Sequence, residues 1–553
     1  MSQTVAIFCK NTKSYHEYPM GTRLIDIYHN LNVQLPYRVL AARVNYKVEN
    51  LNFRIYKPKN IEFIDASSPS GHRVYLRTVS MVMTKALHEI MPDATLRIEH
   101  PICRGYYCSI DNRNADVSAS TIAHLKDRMW DIIRQDLPIE VEEQQSEVVI
   151  EMFRQRGMTD KVALLETLGL PYSRFFRIGD YIDYFDSVLA PSTGYINLFD
   201  LQNYAGGFIL RIVDPHRPDR LAEFKDQDKL FGVFGEFVKW NKLMGLSNVG
   251  DFNRMNNPDN VDMLVKISEA LQEKKIGQIA DMIKMRQPEC RFVMISGPSS
   301  SGKTTFAKRL GVQLMVVGIK PVVLSLDNYF VERETTPLDE NGEHDYEHLN
   351  AVDIPLLNDH LTRLMRGEEV ETPYYCFDDG HRYFRGDKKR LEPGSVLIME
   401  GIHALNPDMS PSVPQKAAFK IYVSALTTIS LDNHNWIPTS DVRLIRRLIR
   451  DYQFRSNSAQ STIARWPSVR RGEERWIFPF QENADVMFNS AFLFELAAFR
   501  PYAEPILSQV PQNSEEYTEA HRILKFLKHF TPINDRDIPA TSLLREFLGG
   551  SSF

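Results

Sequence analysis

Cysteine is scarce in this chain: Cys9, Cys103, Cys108, Cys290 and Cys376 are the only five in 553 residues. They are too few and too scattered for a disulfide framework, and no two share the CxxC spacing of a thiolate zinc site. Neither charge sign is in surplus: 66 Lys and Arg stand against 71 Asp and Glu, a net of −5. A protein that coats nucleic acid is basic overall, so the balance argues against that class. No apolar run approaches the roughly 18 residues that cross a bilayer, so no membrane partner is expected. The opening residues, MSQTVAIFCKNTKSYHEY, turn polar too early for a secretory leader. A cytoplasmic, reduced protein is expected. Repeats and low-complexity tracts are also missing. The composition, 43% apolar and 25% charged, is that of an ordinary globular protein. At about 150 residues per domain, the length implies three or four domains.

The texture of the chain divides it. Residues 1–66 carry short apolar runs (Thr4–Cys9, Val39–Val44, Ile61–Ile64) around a helical stretch, Leu24–Leu31, and read as a small β-rich α+β module. Residues 67–245 mix helical patterns, Val79–Ile90 and Ala119–Gln135, with short strands. Residues 246–289 begin as a polar linker rich in Asn and Asp and continue as a long helix, Val261–Arg286. From 290 to 490, buried-strand runs (CRFVMISG, PVVLSL, Ser395–Met399, Phe419–Val423) alternate with helical patterns, as in a parallel α/β sheet. Residues 491–553 form a helical extension. The expected fold class is multidomain α/β.

The sharpest motif is GPSSSGKT, residues 297–304, between a strand and a helical pattern, Phe306–Met315. It matches GxxxxGK[ST], whose backbone N–H groups cradle phosphates at a helix N-terminus. Gly297, Ser299, Ser300, Ser301, Gly302, Lys303, Thr304 and Thr305 are the candidate nucleotide-binding residues. Lys303 reaches the β- and γ-phosphates, and the Thr304 hydroxyl ligates Mg²⁺. The nearest string to a guanine-reading NKxD is Asn241-Lys242-Leu243-Met244, which lacks the Asp and precedes the loop. A kinase is therefore expected rather than a GTPase.

Two acids follow strand ends, where the ligand crevice of a parallel sheet opens. Asp327 follows the second strand and is placed to take a hydroxyl proton or hold Mg²⁺; taken alone, a turn cap explains it equally well. Glu400 ends the third strand, where a carboxylate reaches Mg²⁺. Arg443, Arg446, Arg447 and Arg450 recur at i, i+3, i+4, i+7 and share a helix face. The interval 443–475 holds nine Arg and no Lys. Beside a phosphate loop, that reads as an arginine lid rather than a solvated basic face.

Six ordered strings, GPSSSGKTT, LDNYF, DYEHLNAVD, TPYYCFDDGHR, LIMEGIHAL and RLIRRLIRD, resemble the uridine/cytidine kinase family. The resemblance implies a P-loop nucleoside kinase using ATP and Mg²⁺. It makes Asp327 the base for the nucleoside 5′-hydroxyl and places Thr304, Asp327 and Glu400 around Mg²⁺. It makes Arg447, Arg450 and Arg455 the lid, and Phe330, Glu347, Tyr375, Phe377 and His381 the substrate pocket. The chain departs from the family in four places. Glu347 replaces an Asp, Cys376 breaks the Tyr-Asp-Phe string, and Asn457 replaces a further lid Arg. His381 matches only with one residue inserted. Residues 344–348 also spell HxxEH, a zinc-peptidase pattern, but without helical periodicity around it.

Residues 1–66 resemble a TGS domain through GTRLIDIYHNL and VLAARVN. Residues 67–245 resemble the editing domain of threonyl-tRNA synthetases through GHRVYLRTVSMVMTKALHEIMP, GYYCSID and GDYIDYFDSVLAPSTG. At the four ligand positions implied by that resemblance stand Arg77, Met81, Phe185 and Leu189, so neither its zinc nor its editing chemistry is expected. The reading is an ATP- and Mg²⁺-dependent kinase of the 5′-hydroxyl of uridine or cytidine. The alternatives are a P-loop kinase of another small alcohol, or a tRNA- or RNA-binding regulator with a vestigial kinase. The front half is not strongly basic, which weakens an RNA partner without excluding it, and an oligomer is compatible with the sequence.

Overall fold

A computed structural model describes residues 3–111, 117–377 and 379–553. Asp378, within TPYYCFDDGHR, lies outside the described residues. The fold is mixed α/β in several modules. The first has a five-stranded sheet in which Thr4–Cys9 pairs antiparallel with Ser14–Pro19 and parallel with Lys59–Ile64. The helix Leu24–Leu31 buries Leu24 and Ile27 in the same apolar cluster as that sheet.

The second module has a four-stranded antiparallel sheet that includes Thr95–Ile102 and Gly105–Asp111, with the helices Pro69–Ile90 and Ala119–Arg134 packed into its core. The first of these helices begins ten residues before Val79, where the sequence reading started it. Ser68 caps it by accepting from the Gly71 N–H, and Pro69 fits its first turn. Met81, Phe185 and Leu189 meet in one apolar cluster with Ile139, Phe176, Ile178 and Tyr181. Arg77 lies near Asp186, and burial draws its guanidinium down to about 10.

The polar stretch 246–262 contains a helix, Val249–Met255, closed by an Asn248/Asp251 capping box, with Phe252 fully buried. Asn257 then caps α1 (Pro258–Met285), which packs on α2 (Lys303–Val316). The α2 helix belongs to a five-stranded parallel sheet: β1 (Phe292–Ser296), β2 (Pro321–Ser325), β3 (Val396–Glu400), β4 (Ala418–Ser424) and β5 (Val486–Asn489). Their order is β2-β3-β1-β4-β5. β1 and β3 are buried at every position, which explains their unbroken apolar runs. Strand order reverses beside β1, so the crevice at its C-terminal end is the expected ligand site.

Between β2 and β3 the chain forms the helix Ile354–Met365 and a hairpin, Glu369–Cys376 with His381–Arg390. After β4 come α3 (Thr439–Phe454) and α4 (Ala459–Trp476); after β5 come α5 (Glu495–Leu507), α6 (Tyr517–Leu527) and the single turn α7 (Arg545–Leu548).

One apolar core runs through Phe153, Leu164 and Phe175 of the front half, Leu264 and Ile276 of α1, and Val293 and Ile295 of β1. A buried charge cluster reinforces the junction. The Lys161 ammonium lies 3.2 Å from Asp183, 3.4 Å from Asp160 and 3.5 Å from Asp432. His434, in the same loop as Asp432, contacts Asp183 at 2.8 Å.

Candidate functional site

The phosphate loop connects β1 to α2. Gly297 is required by close approach: a Cβ there would lie 2.0 Å from the Val423 carbonyl oxygen of β4. The Lys303 ammonium folds back to donate to the Pro298 carbonyl at 3.1 Å. Burial lowers its pKa, while Glu400, Asp327, Glu546 and Glu347 around it act in the opposite direction. The Thr304 hydroxyl lies 3.5 Å from a Glu400 oxygen, and the Ser325 hydroxyl donates to the other Glu400 oxygen at 2.6 Å. Burial, with Asp327 nearby, pushes the Glu400 carboxyl up to about 7. The Ser300 and Ser301 hydroxyls are buried without hydrogen-bond partners. Thr305 is occupied: its N–H and its hydroxyl both donate to Glu546 of α7, at 3.3 and 2.7 Å.

Asp327 sits in a 3₁₀ turn, Leu326–Tyr329, just past β2. It is close enough to Lys303, Glu400 and Arg455 to act electrostatically on each.

The arginines of α3 divide into two pairs. Arg447 donates to the Ser299 hydroxyl at 2.9 Å. Arg447, Arg450 and Arg455 all lean on Asp451, at 3.2, 2.8 and 3.8 Å. Burial and the adjoining Arg450 bring Arg455 down to about 10. Arg443 and Arg446 also face the loop, but each is almost fully buried and ion-paired, with Glu473 and Glu495 respectively. Arg443 donates to the Ser299 carbonyl at 3.1 Å. These two brace the loop from behind rather than extending over it, a division that helical spacing alone does not reveal.

An aromatic wall borders the acids. The rings of Phe330, Tyr375 and Phe377 lie 5.2–6.2 Å apart, and the Arg455 guanidinium is 5.0 Å from the Phe377 ring. Phe330 and Tyr375 are buried, whereas Phe377 is exposed. His381 stands at the rim, exposed, with Nδ1 2.8 Å from Glu332, which raises its pKa.

Glu347 is buried against α4, where Gly472 makes room for it: a Cβ at 472 would lie 2.2 Å from the Glu347 Cβ. Burial pushes Glu347 up to about 7, and one of its oxygens has no hydrogen-bond partner. His403 lies beside it, 1% exposed, and burial draws its imidazole down to about 4. Sequence reading did not single out His403, although it follows the Glu400-Gly401 pair closely. The HxxEH string lies in turns: His344 faces the Thr336 carbonyl and His348 accepts from the Asn350 N–H. Its two histidines do not share a helix face. Ser325, Asp451 and Glu546 also escaped the sequence reading, and Glu546 is 241 residues from its partner.

Around the phosphate loop stand the oxygens of Thr304, Ser325 and Glu400, the guanidinium groups of Arg447 and Arg455, and three aromatic rings. The model of the phosphoribulokinase/uridine kinase family matches residues 292–493. A uridine kinase of Clostridium botulinum is 30% identical over 197 residues, which cover 35% of this chain and 86% of that protein. One from Halobacterium salinarum is 29% identical over 195 residues, 35% of this chain and 77% of that protein. The threonine–tRNA ligase of Rubrobacter xylanophilus is 28% identical over 192 residues toward the N-terminal part of the chain, and this chain spans only 30% of that enzyme's length. By this similarity the chain belongs to the phosphoribulokinase/uridine kinase family.

Proposed function

We propose that the chain transfers the γ-phosphoryl group of ATP to the 5′-hydroxyl of a nucleoside, with uridine and cytidine the preferred acceptors. One observation carries the reading: Lys303, Thr304, Asp327, Glu400, Arg447 and Arg455 converge on the phosphate loop beside the wall of Phe330, Tyr375 and Phe377. We further infer that residues 1–66 are a TGS-like module, that residues 67–245 derive from a synthetase editing domain, and that the protein works in the cytoplasm. Among the described residues, no helix is long and apolar enough to cross a membrane.

The residues fit the implied cofactors. Thr304, Ser325, Asp327 and Glu400 offer only hard oxygens, and the buried Glu400 carboxyl stays raised beside Asp327 even with the Lys303 ammonium acting on it. Thr304, Asp327 and Glu400 would hold Mg²⁺, which when bound neutralises charge on the transferring phosphates. The loop N–H groups and Lys303 bind the donor phosphates. Asp327 orients the acceptor hydroxyl and takes its proton. Arg447 and Arg455 stabilise the charge that develops on the moving group. Phe330, Tyr375 and Phe377 wall the base, and Glu347 receives the sugar hydroxyls. Closure of the lid would exclude water, which otherwise competes as acceptor.

The alternative of a vestigial kinase is disfavoured, because the loop lysine and both acids are retained in one crevice. Turnover across a panel of nucleosides and small alcohols, with and without tRNA, tests the reading. Nucleoside-specific turnover independent of tRNA is expected. Turnover on a non-nucleoside alcohol alone would replace the substrate assignment.

A further inference from the structure

The connection from β4 to the lid helix α3, residues 425–438, holds no exposed residue. Chain buried outside regular helix and strand needs partners for its backbone groups. Much of what this stretch finds comes from the front half. The Ile98 N–H donates to the Asn433 carbonyl at 2.8 Å, and Asp160 accepts from the Asn433 N–H at 2.8 Å. Asn435 donates its side-chain amide to the Tyr184 carbonyl at 3.0 Å, and the Trp436 ring lies 4.8 Å from the ring of Tyr106. Nearer β4, Asn241 donates to the Thr428 carbonyl at 3.0 Å. The Val249 N–H, just beyond the front half, donates to the Ser430 carbonyl at 2.9 Å. The kinase sheet thus reaches its own lid through a bed made by another module.

The helix begins at Thr439, three residues after Trp436. Its first turn is held as well: Arg522 of α6 donates to both oxygens of Asp441, at 2.6 and 2.9 Å. Glu519 ties Arg522 in turn to Arg73 of the front half. The last residues of α3, Tyr452, Gln453 and Phe454, are exposed. A helix seated at its start takes its direction from the seat. Arg447 stands about 12 Å along the axis from Thr439, so a tilt of about 5° moves it by about 1 Å. A shift of that size is enough to damage a reacting geometry. We propose that the front half is the seat of the arginine lid. Asp160 and Tyr106 are positioning residues that act through residues 433–436 and set where Arg447, Arg450 and Arg455 stand relative to the phosphate loop. The proposal rests on the reading of those arginines as the lid of a kinase.

The test compares the full wild-type chain with Asp160→Ala, which removes the acceptor of the Asn433 N–H, and with Tyr106→Ala, which removes the ring beside Trp436. Lys161 keeps Asp183 and Asp432 in the first variant. Amide hydrogen exchange is read first, without nucleotide. Each variant should exchange faster than wild type over residues 442–447 and at the wild-type rate over α2. Kinetics follow on whichever acceptor the wild type phosphorylates. The kcat should fall about two- to thirtyfold. The Kd for ATP should not change, because neither residue lies at the phosphate loop. Paired with Arg447→Met, each loss should fall short of the product of the single losses, because both act on the lid. Wild-type exchange over residues 442–447 in both variants would overturn the proposal. So would exchange that rises equally in α2, an unchanged kcat, or losses that multiply. A wild-type chain that phosphorylates no acceptor would sink the kinase reading, and the exchange rates would still decide whether the front half seats α3.

Discussion

Asp327→Asn keeps the shape of the side chain and removes its basicity. The chain should fold and bind ATP, with turnover reduced about 10²- to 10⁴-fold. A loss of less than about tenfold would make Asp327 a turn cap. Glu347 gives a second test at this scale, through stability. Its carboxyl is raised from 4.5 to about 7, chiefly by burial. A raised acid holds its proton in the folded chain after the unfolded chain has released it. The contribution of Glu347 to stability is therefore highest below pH 4.5, falls as pH rises from there through 7, and is lowest above that. The full cost is about 3 kcal/mol. Glu347→Gln should be the more stable protein at pH 8, with the difference vanishing below pH 4.5, as thermal melts across that range would record. Equal melting at all pH values would mean that Glu347 is not held in a desolvated state. The loop and both acids were legible because each is a short string at a strand end. Glu546 was not, because its partner is remote and nothing local marks a surface-like Glu as a phosphate-loop ligand.

At the scale of elements, α3 carries two kinds of arginine on one face. Arg443→Met should leave the buried Glu473 with Arg470 as its remaining cation and the Ser299 carbonyl without its donor, costing about 1–3 kcal/mol. Arg447→Met should cost much less stability, because Asp451 keeps Arg450 and Arg455, but it should lower turnover. Chemical denaturation of both variants, read beside their rates, decides the division. A stable Arg443→Met chain with a lost rate would return Arg443 to the lid. The periodicity of the sequence located this face correctly. It could not separate the buried, ion-paired arginines from the other two, because that depends on Glu473 and Glu495, which arrive from α4 and α5. The start of the Pro69–Ile90 helix was missed for a different reason. Its first turns carry His72, Arg73 and Arg77, which weaken the apolar period, while tertiary packing holds them helical.

At the scale of the whole molecule, the front half and the kinase share one core and one buried charge cluster, so neither is a detachable appendage. Lys161 serves three carboxylates from both halves, and Asp160, Asp183 and Asp432 hold its ammonium well above the usual lysine range against burial. Lys161→Met should strand those acids and cost about 3–5 kcal/mol, seen as a lower melting temperature of the full chain. An unchanged melt would show that the junction rests on apolar packing alone. This coupling was invisible in the sequence, where Asp432 and Lys161 stand in unrelated strings. The central claim remains phosphoryl transfer, and the most direct measurement is product formation from uridine and ATP with Mg²⁺ by the full chain, wild type beside Lys303→Ala. The account predicts UMP from the wild type and a loss of about 10²-fold or more in Lys303→Ala, whose fold is retained. No UMP or CMP from the wild type, or equal rates from both proteins, would contradict it.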